Sequence, residues 1–176
     1  MSGDLGFRCS RCGEHHATPP LSFHSEAPDY WTPDLAANPD SDLSSDQCVI
    51  NGEHFFIRGL IEIPILETDN VFAWGAWVSL NKTSFARAQE RWNEVGREDD
   101  APYFGWLSTE LTSYTPTTIN LKTNLHTRPV GLRPFIELEP TDHPLAVDQR
   151  TGITRARVQQ IAVRLLHSRF PDEGGT

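Results

Sequence analysis

The amino-acid sequence predicts an α+β domain with a mainly antiparallel sheet and two amphipathic helices. Three observations lead there. Strand signals crowd between residues 47 and 80, the segment VFAWGAWVSL alternates strictly between two faces, and helical stripes appear only after it and again near the end. The resulting order, β-β-β-α-β-β-β-α, suits an antiparallel sheet with helices beside it. A doubly wound sheet would alternate strand and helix throughout.

Taken in order, residues 1–16 read as a short strand running into a knuckle that carries Cys9 and Cys12. Residues 17–46 hold Pro19, Pro20, Pro28, Pro33 and Pro39 among many Ser, Asp and Asn, which marks irregular surface chain anchored by Leu21, Phe23, Tyr30 and Trp31. The stretch QCVINGEHFFIRG is a hairpin, two apolar runs joined by Asn51-Gly52, the dipeptide that favours a type I′ turn. A two-residue loop there sets Ile50 opposite Glu53, Val49 opposite His54 and Cys48 opposite Phe55. LIEIPI extends the pattern, with Pro64 at a strand end or edge. In VFAWGAWVSL, Phe72, Trp74, Ala76, Val78 and Leu80 take one face, and Ala73, Gly75, Trp77 and Ser79 the other.

A helix follows, capped by Thr83 or Ser84, with Phe85, Ala88, Trp92 and Val95 along one side and Gly96 as its stop. Further strands are expected at 102–107, 118–125 and 134–139. Thr154 caps the last helix, whose Val158, Ile161, Ala162, Leu165 and Leu166 repeat at i, i+3, i+4, i+7 and i+8. Residues 1–176 thus read as one domain with an α+β core over 47–168 and a frayed tail over 169–176.

Composition narrows the function classes. Apolar residues at 38% and charged residues at 22% are enough to bury a core and too apolar for disorder. Fifteen Lys and Arg stand against 24 Asp and Glu, a net charge of −9 that opposes nucleic-acid and anionic-membrane binding and suits a basic partner. No run approaches the roughly 18–20 apolar residues that span a bilayer. The N-terminus MSGDLGFRCS lacks a signal-peptide core, so a cytoplasmic protein is expected. Three cysteines cannot all pair internally, and reduced thiols there favour metal binding over disulfides.

In FRCSRCGEHH the Cys-x-x-Cys spacing lets one tight turn present two thiolates, and Gly13 suits its backbone. Cys48 is available as a third ligand. The two-residue hairpin loop points His54 away from Cys48, which leaves His16 or His15 as the fourth. These residues predict one structural Zn²⁺ per chain in a zinc-knuckle-like segment, a closed shell that holds structure and does no chemistry. The plainer alternative makes Cys48 a small buried strand residue beside a reduced pair. A thioredoxin-like reading fits poorly, because proline-rich chain follows where a helix is needed.

The stretch 124–152 concentrates the remaining chemistry. His143 can serve as a general base, His126 or Asp142 can act beside it, and Arg128 and Arg133 can clamp an anion. The structural alternative is a polar turn in which Thr141 and Asp142 cap HPLAVDQ as a short helix, with Arg–Glu pairs across strands. Trp74, Trp77 and Trp106 form either an aromatic platform or sheet core. No Gly-x-Ser-x-Gly, phosphate-loop or His-Glu-x-x-His pattern occurs.

The segments CSRCGEHH, SSDQCVINGEHFFIRG, FAWGAWVSLNKTSFARAQERW, PYFGWLSTEL and INLKTNLHTRPVGLRPFIELEPTDHPLAVDQRTGIT together resemble the bacterial family called domain of unknown function 2199, over about residues 7–167. The family opens with Cys-x-x-Cys-Gly-x-x-His, which places its histidine on His16, and it carries a cysteine where Cys48 stands. The resemblance implies a small soluble bacterial protein and no particular activity. The predicted function is a zinc-stabilised binding or interaction domain for a protein or small-molecule partner, without catalysis. The alternative is a hydrolase or transferase on a small anionic substrate, built on His126, Asp142 and His143 with Arg128 and Arg133.

Overall fold

The computed structural model describes residues 20–166 in full and the backbone alone of residues 7–8, 15–16 and 167–168. Its centre is five strands, β6 (His54–Pro64), β7 (Val71–Leu80), β8 (Tyr103–Leu107), β9 (Lys122–His126) and β10 (Phe135–Leu138). Each pairs antiparallel with the next, and β10 then pairs with β6 through Phe135 opposite Leu60. A meander of five alternates direction, so its first and last strands point the same way and the closing pair must be parallel. The result is a small closed barrel with added strands. Gly59 permits the closure, since a Cβ there would lie 2.8 Å from Ile136 Cγ1 and 3.0 Å from the Pro134 carbonyl.

Alternation along each strand sends one set of side chains inward. Ile57, Ile61, Phe72, Trp74, Ala76, Val78, Leu107, Leu125 and Ile136 form one buried cluster. Helices α2 (Pro144–Thr151) and α3 (Arg155–Ser168) add Leu145, Ala146, Val158, Ile161 and Ala162 to it. The final helix is capped as its sequence predicts, Thr154 Oγ1 accepting from the Arg157 N–H at 3.1 Å.

The segment before the barrel is built on its outside. Strand β3 (Ser22–His24) runs parallel to β7, while β4 (Asp42–Leu43) and β5 (Gln47–Ile50) extend the sheet beyond β6. Cys48, Ile50, Phe56 and Trp77 make a second cluster there, covered by Trp31, Leu35 and Leu43. Two short strands, β1 (Phe7–Arg8) and β2 (His15–His16), pair antiparallel with Phe7 opposite His16. Cys9, Cys12 and the side chain of His16 lie outside the described residues.

Several expectations are corrected. The β5–β6 hairpin pairs Ile50 with His54, Val49 with Phe55 and Cys48 with Phe56, one residue longer than the two-residue loop implies. Asn51 and Gly52 take the positive φ of the turn, 55° and 65°, and Glu53 is added behind them. A one-residue slip reverses every face, so His54 shares the side of Cys48 instead of opposing it. Helix α1 (Lys82–Glu90) is capped by Asn81, whose side chain accepts from the Ser84 N–H at 2.8 Å, and not by Thr83 or Ser84. It ends early, at Glu90 with Arg91 as its cap residue, which leaves Val95 94% exposed; Gly96 (φ 89°) then begins a separate turn in which Arg97 is buried. A short helix does form in HPLAVDQ, α2 over Pro144–Thr151, with His143 as the cap residue in place of Thr141 and Asp142.

Candidate ligand-binding cleft

Of the residues expected to bear chemistry, Arg128, Arg133 and His143 are each held by a local partner. Arg128 meets Glu62 at 2.8 Å and lies 5.4 Å over the Phe135 ring. Arg133 meets Asp46 at 3.1 Å. His126 stacks at 5.9 Å on Phe135, and its Nε2 stands 3.7 Å from Glu137 without a hydrogen bond. His143 Nδ1 accepts from the Leu145 N–H at 3.1 Å, which leaves the proton on Nε2 to be donated to the Pro116 carbonyl at 2.9 Å. Asp142 is exposed. The arrangement distributes these groups between the barrel exterior and the start of α2. None of them lines the cavities described below.

Cys48 stands within the outer apolar cluster, fully buried. Burial, reinforced by nearby Asp42, pushes its thiol up to about 12. Among the described residues no group of three or more His, Cys, Asp or Glu side chains is placed to hold a metal ion.

Two arginines that the sequence reading passed over are buried. Arg97 donates to the carbonyls of Trp92, Arg128, Pro129 and Leu132 at 2.6–3.3 Å and lies over the Trp92 ring. It fastens the 128–132 loop to the end of α1. Arg58 sits 5.9 Å over Trp77 on the barrel exterior and donates to the Ser45 carbonyl at 3.2 Å. Burial, then its charge and that of Arg133, hold the His24 imidazole below its ordinary value. Spacing offered no signal for either arginine, because both act on carbonyls or rings brought in by tertiary contact.

Cavities separate the possibilities further. A crevice beside Arg91, Trp92 and Tyr103 has about 10 Å³, the limit for a single water. A pocket of about 140 Å³ lies between Phe23, Trp74 and Leu111. The large one is a cleft of about 840 Å³ on the barrel exterior, within the range of ligand sites.

Register builds this cleft. One row across the sheet reads Phe56, Ser79, Trp106, Lys122. Neighbouring strands are roughly 4.8 Å apart, so Phe56 and Trp106 stand about 10 Å apart with the small Ser79 between them. Tyr30 stacks on Phe56 with centroids 6.0 Å apart, and Phe104 meets Trp106 edge-on at 5.2 Å. Both walls are therefore held by a second ring. Tyr30 on one wall, and Phe104 with Trp106 on the other, are 49%, 48% and 41% exposed, so each wall presents aromatic surface to solvent. Ile50, Phe55 and Leu80 add apolar lining, and Asn51, Glu53, His54, Asn81 and Asn120 add polar groups.

Of the three tryptophans expected to make either a platform or a core, Trp74 and Trp77 are buried in the two opposite clusters and only Trp106 faces solvent. Tyr30, Phe56 and Ser79 were legible as strand or anchor positions, and nothing in their spacing announced a shared cleft. No described helix is long and apolar enough to cross a membrane.

A family model described as "Uncharacterized protein conserved in bacteria (DUF2199)" matches residues 8–153. No curated protein and no solved structure matches the chain.

Proposed function

The chain belongs to the uncharacterised bacterial family DUF2199, and we propose that it is a non-catalytic binding domain whose ligand occupies the Tyr30–Trp106 cleft. The observation that carries this reading is the pair of buttressed aromatic walls across Ser79. Rings already fixed by neighbours lose little freedom when a ligand arrives, which is how pre-organisation becomes affinity. Catalysis would need a base oriented by a further group. No hydrogen bond among the described residues orients His54 or Glu53. The alternative, chemistry on a small anion through His126, Asp142, His143, Arg128 and Arg133, has weaker support, since both arginines are already paired with carboxylates and His143 serves a helix end.

The test is a library of neutral and charged ring compounds screened by amide chemical shifts. Binders are expected to move the Ser79, Asn81, Trp106 and Asn120 amides and to be lost in Trp106→Ala. Shifts centred elsewhere, or unchanged binding in that variant, would overturn the reading.

One structural Zn²⁺ on Cys9, Cys12, His16 and Cys48 belongs to the same proposal and rests on the Cys-x-x-Cys spacing. The β1–β2 pairing supports it by bringing the backbone before Cys9 opposite His16. The apolar surroundings of Cys48 count the other way. Elemental analysis of untagged protein is expected to find close to one zinc per chain, lost in Cys48→Ser. Zinc retained in that variant would remove Cys48 from the set, and no zinc in the wild type would remove the site.

A further inference from the structure

The same cleft carries an inference about its ligand, which rests on the binding reading above. Among the described residues its lining contains no Lys or Arg, so it offers an anion no opposite charge. Both signs of charge flank it among the described residues, Glu53 and Asp40, the latter packed against Gly52, with Lys82, which follows Asn81, and Lys122, which stands opposite Trp106. What remains is aromatic surface edged by uncharged donors and acceptors.

Those edge groups are specific in kind. Asn81 Oδ1 is occupied by the Ser84 N–H and Asn51 Oδ1 by the Asn38 amide, which leaves the Nδ2 groups of both to donate outward. The Asn120 amide, His54 and Glu53 add acceptors whose side chains have no partner among the described residues. A hydroxyl both donates and accepts, so a polyhydroxylated ring satisfies such a mixed edge at many points around its rim, where a flat hydrocarbon satisfies none of it. The C–H face of a sugar ring covers an aromatic face at the same time. We infer that the cleft is a glycan site that takes a neutral oligosaccharide, with sugar rings laid against Trp106 and Tyr30 and hydroxyls directed to Asn81 and Asn120. The volume admits more than one ring. Hydrolysis is not implied. Glycosidases ordinarily need two carboxyl groups flanking the bond, and among the described residues this lining has only Glu53.

The experiment is an array of neutral chito-, cello-, malto- and xylo-oligosaccharides probed with the labelled full chain. Nona-arginine and a heparin hexasaccharide serve as cationic and anionic comparators. At least one neutral glycan is expected to bind, with affinity unchanged in 0.5 M salt. Trp106→Ala should weaken it at least about tenfold, the loss of an aromatic anchor, and Trp106→Phe should restore part of it. Trp106 is exposed, so both variants are expected to melt near the wild type. Failure of every neutral glycan, or binding that survives Trp106→Ala, overturns the inference. If a charged comparator binds instead and Trp106→Ala abolishes it, the cleft reading stands and the sugar assignment falls. If the ring-compound screen is silent as well, both fall.

Discussion

Replacing Arg97 by methionine should unfasten the 128–132 loop while keeping the contact with Trp92. The guanidinium is 3% exposed and satisfies four carbonyls. Pro129 O keeps the Leu132 N–H as a second partner at 3.0 Å, so three carbonyls, those of Trp92, Arg128 and Leu132, lose their donor. A buried acceptor left unmatched costs about 1–3 kcal/mol. The exposed loop lets water replace part of this, which places the expected loss near the low end, about 3–4 kcal/mol in total. For a chain of this size that is a fall in Tm of roughly 10 °C. Urea unfolding followed by tryptophan fluorescence measures it, with an unchanged m value showing that the transition is the same one. Arg97→Lys keeps a charge but not the fork, and should fall between. A loss below about 1 kcal/mol in Arg97→Met would show that water serves these carbonyls as well as the arginine does, and that the clamp is not structural.

Gly59→Ala should cost about 1–3 kcal/mol by forcing β6 from β10, with faster amide exchange at Leu60, which donates to the Pro134 carbonyl; normal exchange would place the barrel closure elsewhere. His143→Ala should lose about 1 kcal/mol through the missing α2 cap, and His143→Asn should recover most of it in thermal melts. Equal losses in the two would mean that the Pro116 contact, not the cap, matters. In chelator-treated, zinc-free protein, where no metal holds it as a thiolate, the Cys48 thiol is raised on folding from 9.0 to about 12 and stays protonated in the native state while the unfolded chain ionises. Its contribution is therefore intact below about pH 9 and lost as pH rises toward 12, and burial raises Tyr114 in the same direction. The urea midpoint should be lower at pH 10.5 than at pH 8, with a smaller difference in Cys48→Ala; an identical difference in that variant would rule out the thiol.

What the sequence alone determined is the part of this protein governed by local periodicity. Alternation in VFAWGAWVSL placed Phe72, Trp74, Ala76, Val78 and Leu80 together in the core, and the i, i+3, i+4 stripe located the last helix with its Thr154 cap. The order of strands β5 to β10, with α1 between β7 and β8, followed from the same signals, whereas α2 makes a third helix where two were expected. Family membership was legible too, because it resides in quoted residues. Tertiary structure decided the rest. A single residue added after Asn51-Gly52 moved His54 to the face of Cys48, because the pleat has a period of two and local preference does not count loop length. Closure of the sheet into a barrel depends on one long-range parallel contact, Phe135 with Leu60, that no repeat announces. The cleft arises the same way. Tyr30, Phe56, Ser79 and Trp106 come from four separate stretches, and only cross-strand register and the packing of the 25–46 segment on the barrel exterior put their rings around one small serine.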